Sequence, residues 1–208
     1  NLLYLMDSSQ TNKRIAKNTL YLYFRMILLM LVSLYTSRVV LNALGVEDYG
    51  IYNVVGGLVA MFSLISSSLT ASITRFFTFE LGRGESEQLQ KVFSTSVSIQ
   101  ILLSIIVVLI AETLGVWFLN YKMIIPEDRL VAANWCFQLS IATFVLSLLS
   151  TPYNAAIIAH ERMSAFAYIS IFEALGKLGV AFFISVFSSD RLILYSILTT
   201  LIASVVRL

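Results

Sequence analysis

Glu173 and Lys177 lie four residues apart within an otherwise uncharged, largely apolar stretch, SAFAYISIFEALGKLGVAFFIS. On a helix, a glutamate followed four residues later by a lysine lets the two side chains meet. If the stretch crosses a bilayer, charges at that depth are costly, and such residues usually face a protein interior or a water-filled pathway. The pair is therefore a candidate transport site. The alternative is an ion pair that only holds helices together.

A second candidate is Arg38, which shares one helical face with Tyr35 and Asn42 at the spacing i, i+3 and i+7. An arginine at this position could bind a phosphate bidentately. Alternatively, its long side chain could reach the membrane surface, since it lies near the end of its apolar run. Arg25 lies about 140° around the same helix, which predicts that Arg25 and Arg38 do not share one site.

Other kinds of chemistry are poorly represented. The chain has one histidine, His160, and one cysteine, Cys136, and it contains no HExxH, G-x-S-x-G or phosphate-loop motif. A membrane-embedded transferase or ligase would need acidic or histidine residues in an outer loop. The residues available there are Glu47, Asp48, Glu127, Asp128 and Asp190. The sequence therefore argues against an enzyme and predicts no cofactor and no metal.

The composition indicates that these candidate residues lie in a membrane protein. Hydrophobic residues make up 58% of the 208 residues, charged residues 12%, and the mean hydropathy is +0.85. A bilayer core about 30 Å thick needs roughly 20 apolar residues in a helix. We therefore predict an all-α integral membrane protein, a six-transmembrane-helix bundle over residues 19–208. The approximate spans are 19–44, 50–74, 92–118, 131–158, 164–187 and 190–207.

Residues 1–18 form a predicted cytoplasmic arm, in which Met6 is the expected start and residues 1–5 are expected to derive from upstream. With this arm inside, eight lysines and arginines fall on the inner side and three, Lys122, Arg129 and Arg191, on the outer side. This bias places both ends of the chain in the cytoplasm. The net charge of +2 does not suggest a nucleic-acid partner.

Two spans have features typical of transporters. The second could continue to Leu81, which would make it about 48 Å long. The fourth contains Pro152, which bends a helix unless polar neighbours compensate for the lost hydrogen bond. In the fifth, Gly176 and Gly179 predict close helix packing beside the charged pair.

The segment SLYTSRVVLNALGVEDYGIYNVVGG (33–57) carries a family resemblance, supported by KRIAKNTLYLYFR (13–25), ASITRFFTFELGRG (71–84) and LSTPYNAAIIAHERM (149–163). It resembles polysaccharide-transport proteins, the oligosaccharide (O-antigen) flippase branch of the multidrug/oligosaccharidyl-lipid/polysaccharide, or MATE-like, exporter superfamily. The resemblance implies two lobes of six helices around a central cavity. It also implies that the present chain is the N-terminal lobe, with a C-terminal lobe or second subunit as partner.

The same resemblance implies the substrate, an undecaprenyl-diphosphate-linked oligosaccharide moved across the bacterial inner membrane for surface polysaccharide biosynthesis. Cationic cavity residues meet the diphosphate, and Arg25, Arg38 and Lys177 match that role by position. With Asn42 and Glu173, which could also be a protonation site, these are the predicted cavity residues. The alternatives are a small-molecule or drug cation antiporter on the same scaffold and a non-catalytic membrane scaffold.

Overall fold

A computed structural model describes residues 2–84, 86–186 and 190–207 of the chain. Within these ranges all regular structure is helical, which confirms the predicted all-α class. Two short helical turns, a π-helical segment at Ala111–Gly115 and a 3₁₀ turn at Glu127–Arg129, join the longer helices. The α-helices are α1 (Leu2–Ala60), α2 (Ser63–Arg83), α3 (Ser86–Ile110), α4 (Val116–Tyr121), α5 (Leu130–Ala159), α6 (Met163–Val186) and α7 (Arg191–Arg207).

Helix α1 turns sharply at Gly45, whose φ of 84° and ψ of 170° are open to glycine but not to most other residues. Ser33 and Asn53 line one cavity on either side of this bend. In a straight helix, twenty residues would separate them by about 30 Å. A turn between the predicted spans 19–44 and 50–74 is thus present, but it is confined to one glycine, and residues 46–60 already belong to the next helical arm.

The helix predicted over residues 50–74 is divided in the structure. Residues 46–60 end in a turn at Met61 and Phe62, and α2 begins at Ser63. The break follows Gly56 and Gly57, and glycine has a low helix propensity. At the start of α2, the Ser63 hydroxyl donates to the Ala60 carbonyl. Helix α2 then runs to Arg83, close to the predicted Leu81, and is capped by Gly84 at a φ of 74°.

Four helical stretches of the described chain are long and apolar enough to cross a membrane: Ala16–Ala60, Glu87–Tyr121, Glu127–Ala159 and Met163–Val186. The first of these includes both arms around Gly45. Helix α2 is more polar, since it carries eight serines and threonines, and α7 has 17 residues. The structure is therefore an all-α membrane bundle, and six separate crossings stay a prediction.

Three connections between helices meet at one end of the bundle through an ionic cluster, called here the turn cluster. It consists of Asp48, at the start of the arm that follows Gly45, with Arg129 and Asp190. Arg129 donates to Asp48 at 2.5 Å and to Asp190 at 3.2 Å. These residues come from the three predicted outer connections, which therefore lie together at one end of the bundle. Nearby, the Arg191 guanidinium donates to the Ala43 carbonyl at 2.9 Å.

Pro152 lies buried inside α5, which continues without interruption to Ala159. The hydroxyls of Ser150 and Thr151 donate to the Ser147 carbonyl at 3.0 and 3.2 Å. In a regular helix the nitrogen of residue 152 would donate to the Leu148 carbonyl. The two hydroxyl bonds go to the carbonyl one residue earlier, so they do not replace the bond that Pro152 removes.

Of the two glycines predicted to allow close packing, Gly176 does so and Gly179 does not. A Cβ at Gly176 would lie 3.1 Å from Ile202 of α7, whereas one at Gly179 would meet nothing within 4 Å. The tightest glycine contact is elsewhere. A Cβ at Gly115 would lie 2.5 Å from the ring of Phe137, which is buried in the main core.

We therefore expect Gly115→Ala to destabilise the protein by about 1–3 kcal/mol, because the buried Phe137 ring must shift within the main core to make room. The matched control is Gly179→Ala, which fills open space and gains about 1 kcal/mol of helix propensity. Thermal unfolding of the two variants in detergent measures the difference. A Gly115→Ala melting temperature equal to that of Gly179→Ala would contradict the packing described here.

Candidate functional site

The predicted pair in α6 is formed, and it has a third member. The Lys177 ammonium lies 2.6 Å from Oε1 of Glu173, and the guanidinium of Arg207 lies 3.4 Å from the same oxygen. We call Glu173, Lys177 and Arg207 the triad. Because Glu173 and Lys177 are one helical turn apart, α6 alone aligns them, while Arg207 comes from the C-terminal end of α7.

Helix α7 presents Arg207 on a polar stripe. Ser196, Thr200 and Arg207 lie within about 40° of one another around the helix. The Thr200 hydroxyl is 3.0 Å from that of Thr143 in α5, and Arg207 donates to the Thr143 carbonyl at 3.1 Å. Arg207 is therefore held by both α5 and α6. This role of Arg207 was not predicted from the sequence, although Ser196, Thr200 and Arg207 form a stripe that the sequence shows.

Two cavities lined by several hydroxyl-bearing residues adjoin the triad. The first, the Arg207 cavity, has a volume of about 270 Å³ and lies between α5, α7 and residues 46–60. The second, the Ser33 cavity, has a volume of about 230 Å³ and lies between the two arms of α1. The polar side chains of the Arg207 cavity include Ser140, Thr143, Ser147, Thr199 and Thr200. Those of the Ser33 cavity include Ser33, Thr36, Ser37, Tyr49 and Asn53.

The two cavities overlap in depth. The Ser33 cavity extends nearer to the bend at Gly45, which is on the side of the turn cluster, and the Arg207 cavity extends further from that bend. Helix α7 starts at Arg191 on that side, and its 17 residues carry Arg207 about 24 Å away at 1.5 Å per residue. Both cavities are lined by Tyr52 and Lys177, and the Tyr52 ring packs edge-on against Tyr195 at 5.1 Å. Lys177 and Tyr52 thus mark the junction between the cavities.

The triad is positively charged, since two cations share one carboxylate. Among the residues that the structure describes, no second carboxylate lies within ion-pair distance of Lys177 or Arg207. The side chains of Glu173 and Arg207 are 18% and 19% exposed, whereas that of Lys177 is 39% exposed. A cleft with one excess positive charge and many hydroxyl groups is suited to an anionic, polar ligand.

The other predicted site residues lie elsewhere. Arg25 stacks on the ring of Phe166, with its guanidinium carbon 4.3 Å from the ring centre. Arg38 and Asn42 are exposed and line neither of the two cavities. The face of α1 that does line the Ser33 cavity carries Ser33, Thr36 and Ser37 instead. The structure therefore unites Glu173 and Lys177 but leaves Arg25, Arg38 and Asn42 apart from them.

Sequence comparison gives one informative relative. The chain is 24% identical over 130 residues to "Uncharacterized membrane protein EpsK" of Bacillus subtilis (strain 168), a match that covers 62% of this chain and 26% of the relative. The matched region spans about a quarter of the relative's length. Taken with the four long apolar helices, this match identifies the chain as a membrane protein. No family model and no solved structure matches the chain.

Proposed function

We propose that this chain is part of a flippase that moves lipid-linked oligosaccharide across the bacterial inner membrane by alternating access. The observation that carries the proposal is the triad beside two hydroxyl-rich cavities at membrane depth. A diphosphate needs cations and hydrogen-bond donors, and a sugar needs polar partners, while the lipid tail can stay in the bilayer. Lys177 and Arg207 would meet the phosphates, and the serines and threonines would meet the sugar.

In this proposal, the substrate is transported by a larger protein or assembly of which this helical bundle is one part. The likeness noted for residues 33–57 implies a second lobe or subunit, and the match to EpsK covers 26% of that protein. The exposed Arg38 and Asn42 are polar side chains on a membrane helix that such a partner would cover. In this proposal the chain has both ends in the cytoplasm, and undecaprenyl-diphosphate oligosaccharide for surface polysaccharide is the substrate.

A direct test is reconstitution of the full-length protein into liposomes that contain a fluorescent lipid-diphosphate oligosaccharide. The protein should speed the appearance of the sugar in the opposite leaflet, measured by its loss to an impermeant glycosidase. A matched lipid that has neither diphosphate nor sugar should not be moved faster. If the oligosaccharide does not move while an organic cation is exported, the antiporter alternative is correct. If neither moves, the scaffold alternative is favoured.

A further inference from the structure

Lys177 is placed where one side chain can serve two cavities. It lines both the Ser33 cavity and the Arg207 cavity from a single position on α6. Lysine has a flexible four-carbon stem and a compact charge, so rotation of the side chain can move the ammonium several ångströms. Lys177 is also the most exposed member of the triad, and its contact with Glu173 is within one helix. No other helix has to move for that contact to open.

Arg207 is positioned to stay paired with Glu173 when Lys177 moves away. Its guanidinium contacts both Glu173 and the Thr143 carbonyl, and its side chain is half as exposed as that of Lys177. Removing the only partner of a buried carboxylate is strongly unfavourable, because it leaves an uncompensated charge. Glu173 has two partners, so the departure of Lys177 leaves it neutralised by Arg207.

We propose that Lys177 exchanges between Glu173 and a phosphate-class anion, which it meets in either cavity, and that Arg207 makes this exchange possible by keeping Glu173 paired. The inference deepens the proposed function and rests on it only where transport is measured. It predicts two properties of the molecule. Both cavities should attract anions through Lys177. When Arg207 is removed, Lys177 should stay paired with Glu173, because it is then the remaining partner of that carboxylate.

The first property is tested without transport, by cysteine labelling in the full-length protein. Ser33→Cys reports on one cavity and Ser147→Cys on the other. Each is treated with an anionic and a cationic methanethiosulfonate of similar size, and the ratio of their rates is compared with that of a free thiol. Native Cys136 is fully buried, so the parent protein gives the background.

We expect both cysteines to favour the anionic reagent, and Lys177→Met to lower the ratio at both by several-fold. Lys91→Met, which removes a solvent-exposed lysine of α3 paired with Glu87 at 2.8 Å, should change neither ratio. A drop at only one cysteine would mean that Lys177 serves one cavity, and unchanged ratios would mean that it attracts no anion. Either result would overturn the inference, whatever the protein transports.

The second property is tested by a double-mutant cycle in the reconstituted transport assay. Arg207→Gln should slow flipping about tenfold, which corresponds to about 1.4 kcal/mol more binding of Lys177 to Glu173. Adding Glu173→Gln should restore the rate, because the glutamine no longer holds the lysine. Protein yield and melting temperature are measured for each variant. A normal rate in Arg207→Gln, or a folded double variant that stays slow, would contradict the exchange.

Discussion

Replacement of Lys177 by methionine in the full-length protein is expected to abolish transport of lipid-linked oligosaccharide while leaving the protein at normal abundance. The variant removes the cation that both cavities share and keeps the bulk of the side chain. Glu173 retains Arg207 at 3.4 Å, so no unpaired carboxylate is created in the bundle. The measurement is the flipping rate in liposomes, or glycan export in cells, together with protein abundance by quantitative immunoblot.

The control for this variant is Lys91→Met. Lys91 and Glu87 form the same i, i+4 pair as Lys177 and Glu173, but their side chains are 64% and 84% exposed. Exposed pairs of this kind contribute less than about 1 kcal/mol, so transport and abundance should be unchanged. Normal transport by Lys177→Met would refute the site assignment. Loss of the protein itself would show that the pair serves to hold the bundle together.

Replacement of Arg129 by glutamine is expected to lower the stability of the protein by about 3 kcal/mol. Arg129 joins Asp48 and Asp190, and the side chain of Asp48 is only 5% exposed. Without the guanidinium, the Asp48 carboxylate is left nearly buried and unpaired. Thermal unfolding in detergent should show a melting temperature lower by about 5–10 °C.

Two further variants isolate the cause of this effect. Arg162→Gln removes an exposed arginine from the turn at the other end of the bundle and should leave the melting temperature unchanged. Asp48→Asn added to Arg129→Gln should recover most of the stability, because the buried charge is then gone. If Arg129→Gln melts like the parent protein, the turn cluster does not stabilise the bundle.

The features that the sequence predicts well are those set by local periodicity. The all-α class follows from long apolar runs, and the Glu173–Lys177 contact follows from spacing within one helix. The bend at Gly45 falls in the gap between the predicted spans 19–44 and 50–74. In each case, the residues that decide the structure are close together in the sequence.

The features that were not predicted depend on contacts between distant segments. Arg207 joins Glu173 across 34 residues, and its polar stripe on α7 does not indicate which helix it meets. The two cavities arise from the way α1 folds back beside α6 and α7, which hydropathy does not determine. Arg25 and Arg38 had the correct chemistry for a phosphate site, but the packing of α1 turns them away from the triad.

The contact between Arg25 and Phe166 also bears on how the protein is made. Helix α1 packs most extensively against α6, which is synthesised more than 100 residues later. At about 5–20 residues per second, the ribosome needs roughly 7 to 28 s to travel from Arg25 to Phe166. During this interval α1 resides in the bilayer with its polar groups uncovered. Nascent chains that stall before residue 163 are therefore the ones that we expect membrane quality-control proteases to remove.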